Sequence, residues 1–200
     1  HMSRFVEILN EHSRRISLQS FPEIMEEMKK RLNAESAHME ITFPYFIKKE
    51  APVTRSEGLM EYKCTIKGAL NAGKDLALMI RVPVSTLCPC SKEISDYGAH
   101  NQRGEVTLQV RFKKFVWIED LIRLVEESAS AEVFSVLKRE DEKYVTEHAY
   151  EKPMFVEDIV RDIAQKLNDD PNITWFAVES ENFESIHNHN AYAYVEKHKR

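Results

Sequence analysis

Residues 75–113 read DLALMIRVPVSTLCPCSKEISDYGAHNQRGEVTLQVRFK. Two apolar runs enclose a polar insert. The first run, 75–85, has the composition of a strand. The second, 104–113, alternates Val106, Leu108, Val110 and Phe112 with polar neighbours, the period-two pattern of a half-buried strand. The loop between them carries Cys88-Pro89-Cys90 and then His100, behind Gly98-Ala99. A strand pair whose connection bears thiols and an imidazole is a scaffold with chemistry at its end.

Outward from this core, the chain changes period. Upstream, residues 3–16 place Phe5, Ile8, Leu9 and Ile16 on one helical stripe, with Ser3 as the expected N-cap. A second helix is expected over 20–33, with Pro22 in its first turn and Ile24, Met25, Met28 and Leu32 on its apolar face. Residues 36–49 and 57–70 alternate and read as strands, and 71–74 as the turn into the third strand. Downstream, helices are expected at about 117–130, 131–137, 142–150 and 154–168, and strands at 173–181 and 189–197. The class is α+β. Residues 73–200 form a complete ββ-helices-ββ unit, and 1–72 reads as the same unit without its opening hairpin. The repeat predicts that native residues precede His1. His1-Met2 reads as a cloning scar or, in the expectation preferred here, the chain starts inside a longer protein, because two helices and two strands alone leave a poor sheet edge.

Composition narrows the function. Apolar residues are 42% and charged residues 30% of the 200, ordinary for a soluble globular protein. No apolar run approaches the roughly 18–20 residues of a membrane helix. Three cysteines without a disulfide framework suit a reducing compartment, so a cytoplasmic protein is expected. A net charge of −5 gives no basic footprint for nucleic acid, and an anionic ligand requires locally focused cations.

A thiolate, an imidazole and acidic side chains are what a catalytic metal ion needs. Cys88 and His100 are the first candidates. The bland readings are a small buried thiol for Cys88 and a loop-stabilising imidazole for His100. Cys90 lies two residues from Cys88, so on an extended chain both sulfurs face one side and Cys90 neighbours the site without binding the ion. The intervening proline separates this motif from Cys-x-x-Cys redox and zinc-knuckle patterns. Cys64 reads as core. His187 and His189, also two apart, share one face of a strand and can act as general acids or bases; the plain alternative is an exposed polar patch.

Three segments carry a family resemblance: CPCSKEISDYGAHNQRGEV (88–106), KREDEKYVTEHAYEKPMFVEDIVRDIA (138–164) and ESIHNHNAYA (184–193). They closely resemble the type IB GTP cyclohydrolases, the prokaryotic metal-dependent branch, and HMSRFVEILNE resembles an internal segment of that family. The resemblance spans nearly the whole chain. It implies a tunnelling fold, whose sheets assemble into barrels in a homotetramer with active sites at subunit interfaces. It implies Cys88, His100 and Glu142 as ligands of Zn or Mn, with Fe tolerated, and water in the fourth position. On composition alone Glu142 would be a solvated helix-start charge, with Asp141 as its fallback. The resemblance makes Glu157 the purine anchor, since one carboxylate can accept from guanine N1–H and N2–H together and a helix start favours its ionised form. Asp158 beside it reads as an ordinary first-turn acid. Catalytic proton transfer falls to His187 and His189, with Cys90 adjacent.

The implied reaction takes GTP and water to 7,8-dihydroneopterin triphosphate and formate, the first step toward folate and queuosine. The ion would activate water toward guanine C8 and the histidines would shuttle protons. Lys92, Arg103, Lys138 and Arg139 are the candidates for the triphosphate, by proximity to the motifs. The nearest alternatives are a cyclohydrolase giving a cyclic phosphate and a tunnelling-fold enzyme acting on another purine or pterin. A metal-stabilised assembly protein and a thiol switch at Cys90 are more distant.

Overall fold

The alternation at the start of the sheet becomes one uninterrupted hairpin. β1 (Ala37–Glu50) and β2 (Glu57–Leu70) pair antiparallel from Ala37↔Leu70 to Glu50↔Glu57. β3 (Lys74–Leu87) pairs with β2 over Lys63–Leu70 and with β4 (Asn101–Phe112) on its other side. A two-residue strand, β5 (Ala131–Glu132), pairs with Val84–Ser85, the part of β3 beyond the end of its β2 pairing. β6 (Ile173–Asn182) and β7 (Ala191–His198) complete the sheet in the order β1-β2-β3-β4-β6-β7, antiparallel throughout. This computed structural model describes residues 2–13, 16–71 and 73–199. Parts of two expectations, the end of the first helix at 14–15 and the turn at 72, lie outside the described residues, as does His1.

The helices cover one face of the sheet. α1 (Met2–His12) packs on α2 (Phe21–Arg31), α3 (Pro89–Ile94) caps the β3–β4 connection, and α4 (Ile118–Glu127), α5 (Arg139–Glu151) and α6 (Val156–Asp169) follow. Phe21, Ile24 and Met25 of α2, Ile122 and Val125 of α4, and Ile159, Ile163 and Leu167 of α6 bury against Ile66, Ile80, Val82, Leu108, Val110 and Val178. Each is fully or nearly fully removed from water, and burying such a side chain is worth about 1.5–3 kcal/mol. α2 approaches β2 at Gly68. A Cβ there would lie 2.6 Å from Phe21 Cε1 and collide with Met25 Sδ, so the helix seats only on a glycine. Among the described residues, no helix is long and apolar enough to cross a membrane.

Several local expectations are corrected. Ser3 lies inside α1, which begins at Met2. The cysteine loop contains α3, nucleated by Pro89 in its first turn with Cys88 as its N-cap. The helix expected at 131–137 is β5 followed by irregular chain. Buried serines decide this: Ser128 Oγ donates to Leu124 O at 2.7 Å as α4 ends, and Ser130 Oγ accepts from Leu87 N at 3.1 Å, tying the segment to β3. Side-chain bonds of this kind compete with helix.

The segment 126–141 then grips the far end of the β1–β2 hairpin. Lys49 Nζ lies 2.7 Å from carboxylate oxygens of both Glu126 and Glu132, and Tyr62 Oη donates to Glu126 at 2.7 Å. Burial pushes the Glu126 carboxyl pKa up, opposed by Lys49 and Tyr62. Asp141, with no exposed surface, accepts from Val53 N at 2.8 Å, Thr54 N at 2.9 Å, Thr54 Oγ1 at 2.6 Å and Lys138 N at 2.9 Å. Burial alone would raise its pKa, but the Thr54 hydroxyl and these backbone N–H groups hold it well below the ordinary carboxylate range.

Two outcomes follow for stability. Gly68→Ala lowers unfolding free energy by about 1–3 kcal/mol in urea titrations by forcing α2 off the sheet, whereas Gly73→Ala, with open space around the added carbon, leaves the midpoint unchanged. Asp141 titrates lower folded than unfolded, so its stabilisation is complete above the ordinary aspartate pKa of about 3.9 and drains away as pH falls below it. Thermal melts of Asp141→Asn are expected several degrees below wild type at neutral pH, with the gap closing on acidification.

Candidate active site

The β3–β4 ladder delivers Cys88 and His100 to one place. Its last strand pair is Leu87↔Asn101, and one residue further out Cys88 N donates to His100 O at 3.1 Å. Ser91 stitches the same corner. Its Oγ donates to Cys88 O at 3.1 Å and accepts from His100 N at 3.2 Å, and its N–H points at Cys88 Sγ, 3.5 Å away. Both ends of the excursion 89–99 are thereby fixed, with the thiol and the imidazole each partly open to solvent.

The imidazole is oriented from behind. His100 Nδ1 lies 3.0 Å from Gln102 Oε1 and 3.0 Å from Ser185 Oγ. Gln102 is itself buried and donates through Nε2 to Thr86 Oγ1 at 2.7 Å. Ser185 belongs to the β6–β7 loop, so this contact ties that loop to His100. In that loop His187 and His189 stack at 5.2 Å between ring centroids, 18° from parallel. They are close together as expected, but on a loop and not a strand, since β7 begins only at Ala191. Asparagine favours turns, and Asn190 Nδ2 donates to Glu181 Oε1 at 2.7 Å, which draws the chain into β7 only after the histidines. Three buried oxygens at this end of β6 have no hydrogen-bond partner among the described residues: Ser180 Oγ, Asn182 Oδ1 and Glu184 Oε2.

Other candidates divide between this corner and a second place. Met154 N donates to Leu87 O at 3.1 Å, which pins the entry of α6 one residue from Cys88. Glu157 is exposed in the first turn of that helix. Asp158 is the structural acid of the turn, accepting from Phe155 N at 3.1 Å and Arg161 Nη1 at 2.7 Å. Cys90 is exposed on α3, so the chain between the two cysteines is the start of a helix and not the extended segment expected. Lys92 Nζ donates to Tyr150 O and sits 4.2 Å above that ring, so it is engaged by the end of α5. Arg103 is exposed on β4 and accepts from Phe183 N through its carbonyl at 2.9 Å.

Lys138, Arg139 and Glu142 lie exposed at the start of α5, beside the inward-turned Asp141. That helix meets α3 near Tyr150, eight residues beyond Glu142 and about 12 Å along the axis. Among the described residues no three of His, Cys, Asp and Glu come together as a metal cluster. The chain therefore unites Cys88 with His100 and leaves Glu142 elsewhere. Sequence reading did not single out Ser91, Thr86 or Ser185. The sequence does offer Gln102: the residues flanking His100, Tyr97-Gly98-Ala99 and Asn101-Gln102, are the expected support for its tautomer, and the structure places Gln102 there.

Comparison with known proteins identifies the family. A sequence model of the family described as type I GTP cyclohydrolase folE2 matches residues 1–193. GTP cyclohydrolase FolE2 of Syntrophobacter fumaroxidans is 63% identical over all of this chain and 78% of its own length. The protein of the same name from Syntrophus aciditrophicus is 63% identical over 98% of this chain and 78% of its own. Among solved structures, urate oxidase of Bacillus sp. TB-90 superposes with a TM-score of 0.59 at 10% identity, covering 100% of this chain and 79% of that one. Uricase from Arthrobacter globiformis gives 0.55 at 8% identity, covering 96% and 74%. At such low identity these two carry the fold alone, and it is the tunnelling fold. With its sequence matched almost end to end, the chain belongs to the type I GTP cyclohydrolase FolE2 family.

Proposed function

We propose that this protein hydrolyses GTP to 7,8-dihydroneopterin triphosphate and formate at a site built around Cys88 and His100. The observation that carries the reading is their juxtaposition, in a chain 63% identical to named GTP cyclohydrolases, beside a loop holding two stacked imidazoles. The donor chemistry fits a divalent ion: a thiol and an imidazole whose Nδ1 is already engaged suit Zn, and a carboxylate added to them suits Mn or Fe as well. Cys88 and His100 would hold the ion, with Glu142 as the third ligand. When bound, such an ion supplies Lewis acidity and lowers the pKa of water.

The chain's own residues do the rest. Glu157 accepts from guanine N1–H and N2–H and so orients the purine. His187 and His189, close enough to exchange roles, donate to and accept from the opening imidazole ring and then the ribose. Cys90 borders the reacting face. Arg103, Lys138 and Arg139 meet the triphosphate, joined by Lys92 where it can leave Tyr150. Because Glu142, Lys138 and Arg139 sit apart from Cys88 in one copy, the full site would form between copies of the chain, consistent with a homotetramer of repeated units 1–72 and 73–200. The finer placement in the type IB, metal-dependent branch rests on the same motifs. A cytoplasmic enzyme feeding folate and queuosine fits three free cysteines.

Metal-stripped protein reloaded with Zn²⁺, Mn²⁺ or Fe²⁺ is expected to release formate and a fluorescent oxidised pterin from GTP. Cys88→Ala and His100→Ala each lose at least about 100-fold. Absence of formate with every ion would refute the reading. The composite site has its own measurement: co-expressed Cys88→Ala and Glu142→Ala chains should recover about a quarter of wild-type activity, the statistical share of intact sites in mixed oligomers. No recovery above the separate variants would mean that each copy builds its site alone.

A further inference from the structure

Behind His100 lies a short polar chain that ordinary core packing does not require. Thr86 and Gln102 face each other as a register pair of β3 and β4. Both are buried, Thr86 completely and Gln102 to 8% exposure, where apolar side chains would pack as well. The amide is oriented: Nε2 donates to Thr86 Oγ1 at 2.7 Å, which turns Oε1 toward His100 Nδ1 at 3.0 Å. A carbonyl oxygen can only accept. Nδ1 must then carry the proton, and the lone pair of the neutral ring is left on Nε2. The second group on Nδ1 is Ser185 Oγ at 3.0 Å, from the loop that carries His187 and His189. One N–H thus joins three elements: the buried β3–β4 pair, the imidazole, and the histidine loop.

We propose that Gln102, oriented by Thr86, and Ser185 are positioning residues for His100. Gln102 locks the Nδ1–H tautomer so that Nε2 presents its lone pair on the open side next to Cys88. Ser185 uses the same proton to dock the His187–His189 loop at that corner. The assignment rests on the reading of His100 as a metal ligand. A bare Nδ1 would set its lone pair against the Gln102 oxygen. Reversing the amide to avoid this would require the Thr86 hydroxyl to turn its own proton inward. A ring free to choose its tautomer offers a metal the right nitrogen only part of the time, and loss of such a support commonly costs 10–100-fold in affinity.

The test uses the whole metal-stripped protein, without GTP, and reads two quantities. The first is Zn²⁺ affinity by competition with a chromogenic chelator. Gln102→Leu is expected to bind about 10–100-fold more weakly, Gln102→Glu to regain most of the loss through its own acceptor, and Thr86→Val to fall between them. The second is the long-range ¹H–¹⁵N spectrum of the His100 ring, expected to show Nδ1–H in wild type and a tautomer mixture in Gln102→Leu and Thr86→Val. Ser185→Ala should keep Zn²⁺ affinity within about threefold, yet lose the ring-stacking shifts of His187 and His189 in the same spectrum. Thr86→Val, nearly isosteric, stands in if Gln102→Leu does not fold. Wild-type affinity together with an unchanged Nδ1–H signal in the Gln102 or Thr86 variants overturns the proposal. His100→Ala separates the two readings. If it binds Zn²⁺ as wild type does, the metal-ligand reading fails, while the ring spectrum still decides the positioning.

Discussion

The site depends on a backbone hydrogen bond from Cys88 N to His100 O, laid one residue beyond the last paired strand position and reinforced by the Ser91 hydroxyl between the same two residues. It closes residues 89–99 into a loop of fixed mouth, and a fixed mouth is what brings two distant side chains into one chemical neighbourhood. Closing such a loop costs entropy that grows with its length. The ladder below supplies the compensation. Val82, Val84, Val106 and Leu108 are fully buried and set the β3–β4 register. A slip of one residue would turn every one of them to the helix-free face and would turn His100 over with them. Core packing and active-site geometry are therefore one specification, written by the same alternating residues.

A second constraint separates what the first one gathers. Asp141 spends all its hydrogen-bonding capacity on the β1–β2 hairpin, through Val53 and Thr54, and on Lys138 N. Asp141 turns inward, while its neighbour Glu142 is exposed, as are Lys138 and Arg139. The start of α5 is bound to one end of the sheet, while Cys88 and His100 sit near the other end of that helix. The sheet also stops at β1 and β7, whose outer edges pair with no strand among the described residues. Exposed edges of this length invite a further strand. Divided chemistry and open edges both support an enzyme completed by copies of itself.

The strands were legible because their alternation is strict and their partners adjacent in sequence. β1 and β2 match expectation to within a residue. The helix expected at 131–137 failed because Ala131, Val133 and Val136 look equally apolar to a helix and to a strand edge, and the deciding groups were buried serines with distant partners. His187 and His189 were recognised as a pair, but asparagine neighbours, not strand alternation, bring them together. Cys88 and His100 could be named from their motif. Gln102 behind His100 could be named from the same motif, whereas Ser185 could not, because it meets His100 only through the β6–β7 loop.

On the proposed reading, charge would select the face on which a nucleoside triphosphate binds. The helix-free face of the sheet holds a cavity of about 280 Å³ where Arg81 stands among Glu105, Glu179 and Glu181, with Tyr192 donating to Glu179 at 2.9 Å. A polyanion has no place among three carboxylates and one guanidinium in a chain of net charge −5. Along β4 the sign reverses within two residues, from Glu105 to Arg103, at the end where α3 brings Lys92. The end where Arg103 and Lys92 stand is the end that carries Cys88 and His100. On the proposed reading, acidic residues over the rest of the face would exclude the triphosphate, and Arg103 and Lys92 would meet it at the end that carries the imidazoles.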